Sequence, residues 1–201
     1  MRGWMAVAAL AIVSAPGAAE QVNGRPAGNF RLTDASGKTV QLSQFRGRPV
    51  VLEWNNPGCP YVKKHYGSGN MQRTQAQAVG QGAVWLTINS GAPGKQGHMS
   101  GAEARAFVAG AKAAPTHYLL DPNGVVGRGY GAKTTPHLYL IDAGGVLRYQ
   151  GAIDDRPTAD VADIAGARNH LLQALGEVKA GKAVSVAETR PYGCSVKYAD
   201  S

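Results

Sequence analysis

The chain has 201 residues, of which 44% are hydrophobic and 17% charged, with a formal net charge of +8. That length suits one domain with a full core and makes two cramped, and the composition excludes a disordered or fibrous chain. The Lys and Arg residues are scattered, without a dense run or interleaved aromatics, so they read as a solvated surface and exclude a nucleic-acid-binding stripe.

The first residues stand apart from the rest of the chain. Met1-Arg2 gives a short basic start, Trp4 to Val13 is apolar, and Pro16-Gly17-Ala18-Ala19 offers small residues for cleavage before Glu20. Residues 1–19 therefore read as a secretory signal peptide, too short to span a membrane. No later apolar run is long enough to span one, so the expectation is an exported protein, periplasmic or extracellular, with no stable membrane insertion. No twin arginine is present and no cysteine follows the predicted cut, which argues against the twin-arginine route and a lipid-modified N-terminus. Loss of the leader removes only Arg2 among charged residues and takes the formal charge from +8 to +7.

Residues 20–182 read as a single α/β domain. Phe30 to Leu42 alternates about a Ser36-Gly37 turn, as a small hairpin does. Val50-Val51-Leu52 is a buried strand, and a helix follows from Pro60 to about Tyr66. Gly67-Ser68-Gly69-Asn70 interrupts it before Met71 to Val79 resumes the helical pattern. Ala83 to Asn89 is a second apolar strand. Ser100-Gly101-Ala102-Glu103 has the spacing of a capping box and opens a helix that stops before Pro115. His117 to Leu120 is a short strand closed by Asp121-Pro122-Asn123-Gly124, so strands and helices alternate up to this point. Pro136 to Asp142 and Val146 to Gly151 read as an antiparallel hairpin. A last helix spans Ala159 to Lys179, with Ile164, Leu171, Leu172, Leu175 and Val178 as its apolar stripe and Gly181 beyond its end. Residues 183–201 form an irregular tail that carries Cys194.

The chemistry is concentrated in Trp54-Asn55-Asn56-Pro57-Gly58-Cys59-Pro60-Tyr61-Val62-Lys63-Lys64. Pro57-Gly58 breaks the strand, and Pro60 suits the first turn of a helix, where its missing N–H costs nothing. Cys59 is thus delivered to unpaired backbone N–H groups at the positive end of the helix dipole, and Lys63 comes round onto the same face. Both favour the thiolate, which is the nucleophile. Cys59 and Cys194 are the chain's two cysteines, and an oxidising compartment lets them pair, either as a redox couple or as a permanent bridge closing most of the chain into one loop. His65 follows on the cysteine's helix and reads as solvated. His98, His117, His137 and His170 show no metal-ligand spacing, and the glycine-rich stretches match no phosphate loop or dinucleotide fingerprint, so the expectation is no metal and no cofactor.

The order of elements resembles the thioredoxin fold, and three segments resemble its peroxiredoxin-like branch, the redoxins of AhpC/TSA type. Gly37 to Ser43 with Gly47 to Leu52 is similar to that group's opening segment, Asn56-Pro57-Gly58-Cys59-Pro60-Tyr61-Val62 to its active-site turn, and Thr134-Thr135-Pro136-His137 to the superfamily's cis-proline loop. Tyr192-Gly193-Cys194-Ser195-Val196-Lys197-Tyr198 is similar to the tail of these redoxins. The resemblance implies a central mixed β-sheet flanked by helices, with an N-terminal hairpin extension. It departs from thioredoxins in having Asn56 where their first cysteine stands, which removes a local dithiol. It departs from peroxiredoxins in having Asn56 for their threonine or serine and Leu52 for their upstream proline.

The resemblance implies a thiol-based redox protein in which Cys59 attacks a peroxide and Cys194 resolves the sulfenic acid, with an external dithiol protein as reductant. Asn56 is then a candidate donor through its amide, Lys63 tunes the thiol, and Pro136 is cis with the Thr135 backbone free to pair with a substrate's backbone. Two alternatives stand beside it: thiol–disulfide exchange on protein substrates, and a non-enzymatic binding or copper-handling module with a structural Cys59–Cys194 bridge.

Overall fold

Val50–Trp54 (β3) is the strand on which the rest is hung, and all five of its residues are buried. Its side chains alternate between two cores, as a strand covered on both faces requires. Val50, Leu52 and Trp54 point to one core with Leu86, Ile88 and Tyr139, while Val51 points to the other with Trp85, Leu138 and Leu140. The computed structural model describes residues 21–200, so the predicted signal peptide lies outside the described residues.

Around β3 the sheet is built from Arg31–Asp34 (β1), Thr39–Gln41 (β2), Val84–Asn89 (β4), His117–Leu120 (β5), His137–Ile141 (β7) and Leu147–Gly151 (β8). The strand order is β2-β1-β5-β4-β3-β7-β8. β3, β4 and β5 are parallel neighbours, and β1, β2, β7 and β8 join antiparallel, which gives the expected mixed sheet with its N-terminal hairpin. Thr134–Thr135 (β6) stands apart and pairs with Cys194–Ser195 (β9) in a separate two-stranded ladder.

Pro60–Gly67 (α1), Asn70–Gly80 (α2) and His170–Lys179 (α5) bring Val62, Met71, Leu171 and Leu175 onto the core that holds Cys59. The Gly67–Asn70 interruption falls where the glycines predict it, with Gly69 left-handed at φ 74. Gly101–Gly110 (α3) opens with the expected capping box, in which Ser100 Oγ accepts from Glu103 N and Ser100 N donates to the Glu103 carboxylate. Val125–Gly129 (α4), a short helix that has no counterpart in the sequence reading, follows the Asp121 turn. Its N–H groups at Val126 and Gly127 donate to the Asp121 carboxylate, which replaces a longer run of intrahelical bonds.

Two expectations need correction. The helix predicted over Ala159–Lys179 is instead a 3₁₀ segment, Val161–Gly166, followed by a break and then α5. Asn169 stops continuity by acting as an N-cap, its Oδ1 accepting from Leu172 N at 2.9 Å, so a new helix starts there. The tail is not irregular throughout: β9 pairs with β6, Val196 is buried in the Trp54 core, and the Tyr198 hydroxyl donates to Ala132 O.

Glu53, on β3, is fully buried. Its carboxylate oxygens receive the Tyr66 hydroxyl at 2.8 Å, Trp85 Nε1 at 2.9 Å, Thr87 Oγ1 at 3.0 Å, Asn55 Nδ2 at 3.1 Å and Gln75 Nε2 at 3.4 Å. Burial pushes its pKa up, and the donors pull against that without cancelling it. The cluster ties β3 to β4, α1 and α2. Among the described residues no helix is long and apolar enough to cross a membrane.

Candidate functional site

β3 ends at Trp54, and the chain turns through Asn56 before α1 begins. Asn56 Oδ1 accepts from Gly58 N at 2.9 Å, an Asx turn, and Cys59 N donates to Asn56 O at 3.0 Å. The amide of Asn56 is committed to Gln96 Oε1 at 2.9 Å. Asn56 therefore shapes the turn, and its donor faces the Gln96 loop. Cys59 is the N-cap residue of α1, with Pro60 in the first turn as the sequence predicts.

The Cys59 sulfur is enclosed, with no exposed surface. Thr135 and Cys194 reach it from the other side. As a thiol, Cys59 donates to Thr135 O at 3.1 Å; as a thiolate, it accepts from Cys194 N at 3.4 Å. The Thr135-Pro136 peptide is cis, as the resemblance implied, and both residues are buried. Thr135 pairs in register with Cys194, and Thr134 with Ser195. The backbone edge expected to receive a substrate strand is thus occupied by the chain's own tail.

Burial is the largest single influence on Cys59 and raises its pKa, but it is outweighed. Hydrogen bonds from the Cys194 thiol, from the N–H groups of Val62 and Cys194, and from the Thr135 side chain together hold the thiol below its ordinary range. Cys194 moves the opposite way, pushed up to about 11 by its burial and by the hydrogen bond its thiol gives to Cys59. The two sulfurs titrate as one unit, in which the first proton leaves from Cys59 and the second is retained by Cys194. Both cysteines are free thiols here, Cys59 buried and Cys194 half-buried.

This division of roles makes a direct prediction. Cys194→Ala removes the thiol donor, so the pH midpoint of Cys59 ionisation should rise. The thiolate absorbance of the variant, followed against pH, should therefore develop at higher pH than in a wild-type sample kept reduced, and alkylation of Cys59 at neutral pH should slow. An unchanged midpoint would mean that the N–H groups of Val62 and Cys194 and the Thr135 side chain set the thiol without the Cys194 side chain.

Lys63 is exposed and stands on the wall of an open groove with Tyr66, Arg73 and Lys112, while the leading influences on Cys59 come from Cys194, Val62 and Thr135. Its neighbour Lys64 is the buried one, 2% exposed, with Nζ donating to Arg156 O at 3.0 Å. His65, expected from the sequence to be solvated, is fully buried. It lies on the inner face of α1, where burial lowers its pKa to about 4 and keeps it neutral. Glu53 also escapes the sequence reading, although a lone acid inside the apolar run Val50-Val51-Leu52-Glu53-Trp54 is a signal that could find it. Among the described residues no group of three or more His, Cys, Asp or Glu side chains is gathered as a metal site.

The AhpC/TSA family model matches residues 23–150, which include the hairpin, β3, the Cys59 turn and the cis-proline loop. The chain belongs to the AhpC/TSA family. No curated protein matches it. A hypothetical protein from Sinorhizobium meliloti shares 25% identity and superposes with a TM-score of 0.76, over 91% of this chain and 98% of that one. An uncharacterized conserved protein from Geobacillus kaustophilus, 24% identical, has the same fold at a TM-score of 0.75, over 90% and 94% of the two chains. A putative thiol:disulfide interchange protein DsbE from Chlorobium tepidum is 27% identical, with a TM-score of 0.57 over 78% of this chain and all (100%) of that one. This AhpC/TSA member is therefore a redoxin of the thioredoxin-fold superfamily. Its β6–β9 ladder lies partly beyond the matched segment, since both Thr135 and its partner Cys194 are needed to build it and Cys194 falls outside residues 23–150.

Proposed function

We propose that this redoxin is a two-cysteine thiol–disulfide oxidoreductase that cycles between a Cys59/Cys194 dithiol and a Cys59–Cys194 disulfide. The observation that carries the reading is the docking of the Cys194 segment on the Cys59 sulfur: Cys194 N–H reaches that sulfur at 3.4 Å across 135 positions of sequence, and Cys194 pairs in register with Thr135. In the disulfide form an incoming thiolate attacks the Cys194 sulfur, which belongs to the more exposed of the two residues. The S–S bond breaks, and Cys59 leaves as the thiolate that its surroundings already favour. The second thiol of the partner then attacks the mixed disulfide, taking Cys194 off as a thiol and leaving the partner oxidised. The same steps in reverse oxidise the pair, so the partner class is an external dithiol or disulfide protein.

Peroxide is the second reading, favoured by the AhpC/TSA match and by a resolving thiol already beside the nucleophile. There the Cys59 thiolate takes one peroxide oxygen to become a sulfenic acid, the other oxygen leaves as water or alcohol, and Cys194 displaces water to form the disulfide. Asn56 contributes less to this reading because its amide is held by Gln96. Action outside the cytoplasm is supported by the apolar leader before Glu20 and by similarity to an exposed lipoprotein thioredoxin from Streptococcus pneumoniae, 25% identical with a TM-score of 0.53, over 75% and 99% of the two chains.

The test is to reduce the protein gently, then offer a protein disulfide or one equivalent of hydrogen peroxide in separate reactions. Substrate loss is followed together with the mass of the peptides holding Cys59 and Cys194. Turnover of the protein disulfide with a new Cys59–Cys194 link, reduced by about a hundredfold or more in Cys59→Ser, supports exchange. Peroxide loss with the same link and no exchange transfers the assignment to peroxide. A link that resists mild reductant, or one that never forms, overturns both in favour of a scaffold role.

A further inference from the structure

Two residues before Cys194, Tyr192 enters a buried polar cluster that the redox chemistry does not use. Its hydroxyl donates to Asp154 Oδ1 at 2.5 Å and accepts from His65 Nε2 at 3.1 Å. His65 Nδ1 in turn accepts from Asn70 Nδ2 at 2.8 Å. These partners fix the neutral tautomer with the proton on Nε2, since Nδ1 is occupied as an acceptor and the tyrosine proton is already given to Asp154. The result is a one-directional chain from α2 through α1 and the tail to the segment after β8. His65 is fully buried and Asp154 is 2% exposed. The Tyr192 ring is held as well, edge-on to Tyr61 at 5.8 Å and beneath Lys64 Nζ at 5.7 Å.

The tail is thus fixed on both sides of Gly193, by Tyr192 before it and by the β6–β9 ladder after it. Gly193 itself has φ 140, and a Cβ there would lie 2.1 Å from Thr135 O. Little slack remains between the anchor and Cys194. Effective molarity between two thiols depends on how far each is held near its reacting geometry, so an anchor two residues away acts directly on it.

We propose that Tyr192 is a positioning residue for the thiol–disulfide pair: through His65 and Asp154 it holds Cys194 against Cys59 and so raises the stability of their disulfide. The proposal rests on the dithiol–disulfide reading above. Its readout is the equilibrium with glutathione, in which the reduced pair and one glutathione disulfide give the protein disulfide and two glutathione thiols, by way of a protein–glutathione mixed disulfide.

Full-length Tyr192→Phe keeps the ring and loses the hydroxyl. Its equilibrium constant should fall about tenfold, with the mixed disulfide accumulating where wild type shows little. His65→Leu should shift the constant the same way, whereas His65→Gln, which can still offer an N–H, should restore part of it. A constant within twofold of wild type in both Tyr192→Phe and His65→Leu overturns the anchor while leaving the redox pair intact. Absence of any Cys59–Cys194 disulfide in wild type overturns the anchor together with the reading it rests on. If Tyr192→Phe does not fold, the two His65 variants decide the matter alone.

Discussion

Replacing Glu53 by leucine should remove a large share of the protein's stability at room temperature. Leucine fills a similar volume but accepts no hydrogen bond. Asn55 Nδ2 and Trp85 Nε1 are donors only and would lose their Glu53 acceptor, whereas Gln75 Nε2 keeps the Tyr66 hydroxyl at 3.3 Å. Each buried orphan costs about 1–3 kcal/mol, so the two cost roughly 2–6 kcal/mol. The whole stability of a domain is typically about 5–15 kcal/mol. Denaturant unfolding would measure the loss, and a change below about 1 kcal/mol would show that water replaces the carboxylate.

The same residue gives stability a pH dependence of known sign. Burial raises the folded pKa of Glu53 above its unfolded value, so the folded state holds a proton that the unfolded state releases. Its contribution is fully present below the unfolded pKa and is lost as pH rises through the folded one, with a slope of up to about 1.4 kcal/mol per pH unit. Glu53→Gln removes that slope. Stability curves of wild type and Glu53→Gln should therefore converge at low pH and separate less steeply than one proton allows above it, with the wild type being the curve that falls.

Gly193→Ala should uncouple the two cysteines while leaving the sheet in place. The added Cβ would meet Thr135 O at 2.1 Å and Thr135 C at 2.7 Å, both backbone atoms of the cis-proline loop that cannot swing aside. The tail must lift, and β9 with it. Cys194 then becomes a tethered thiol in place of a docked one, and its effective molarity toward Cys59 should fall by roughly a hundredfold. Cys59 loses the Cys194 donors at the same time, so its ionisation should move to higher pH. Gly181→Ala is the control: that glycine also has positive φ, 68, but a Cβ there meets nothing within 4 Å. Equal rates of disulfide formation in the two variants would show that the ladder does not hold Cys194.

The parts of the fold legible in the sequence are those governed by local rules. Proline and glycine place the Cys59 turn, the capping box places α3, and the apolar runs place β3 and β4. The helix predicted to Lys179 ends where expected but begins later, because periodicity alone does not register a competing cap such as Asn169. The site is legible at Cys59 and through resemblance at Pro136. The rest depends on pairings over long sequence separations: Cys194 N reaches Cys59 across 135 positions, and Tyr192 reaches His65 across 127. No periodicity encodes such contacts. Lys63 and Lys64 illustrate the same limit, since adjacent identical residues on one helix turn are one exposed and one buried. The basic neighbours of His65 suggest solvation, whereas the tail that covers it lies at the other end of the chain.

The docking of the tail on β6 also has a meaning in time. A chain made from its N-terminus presents the Cys59 turn, then the sheet, and only near the end the segment that covers the sulfur. At synthesis rates of about 5–20 residues per second, the 135 positions between the two cysteines correspond to about 7–27 s. Throughout that interval the sulfur that ends up enclosed has neither its cover nor its intended partner. During it the thiol is uncovered but also lacks the Cys194 donors that favour its thiolate, so arrival of the last strand both encloses the sulfur and lowers its pKa.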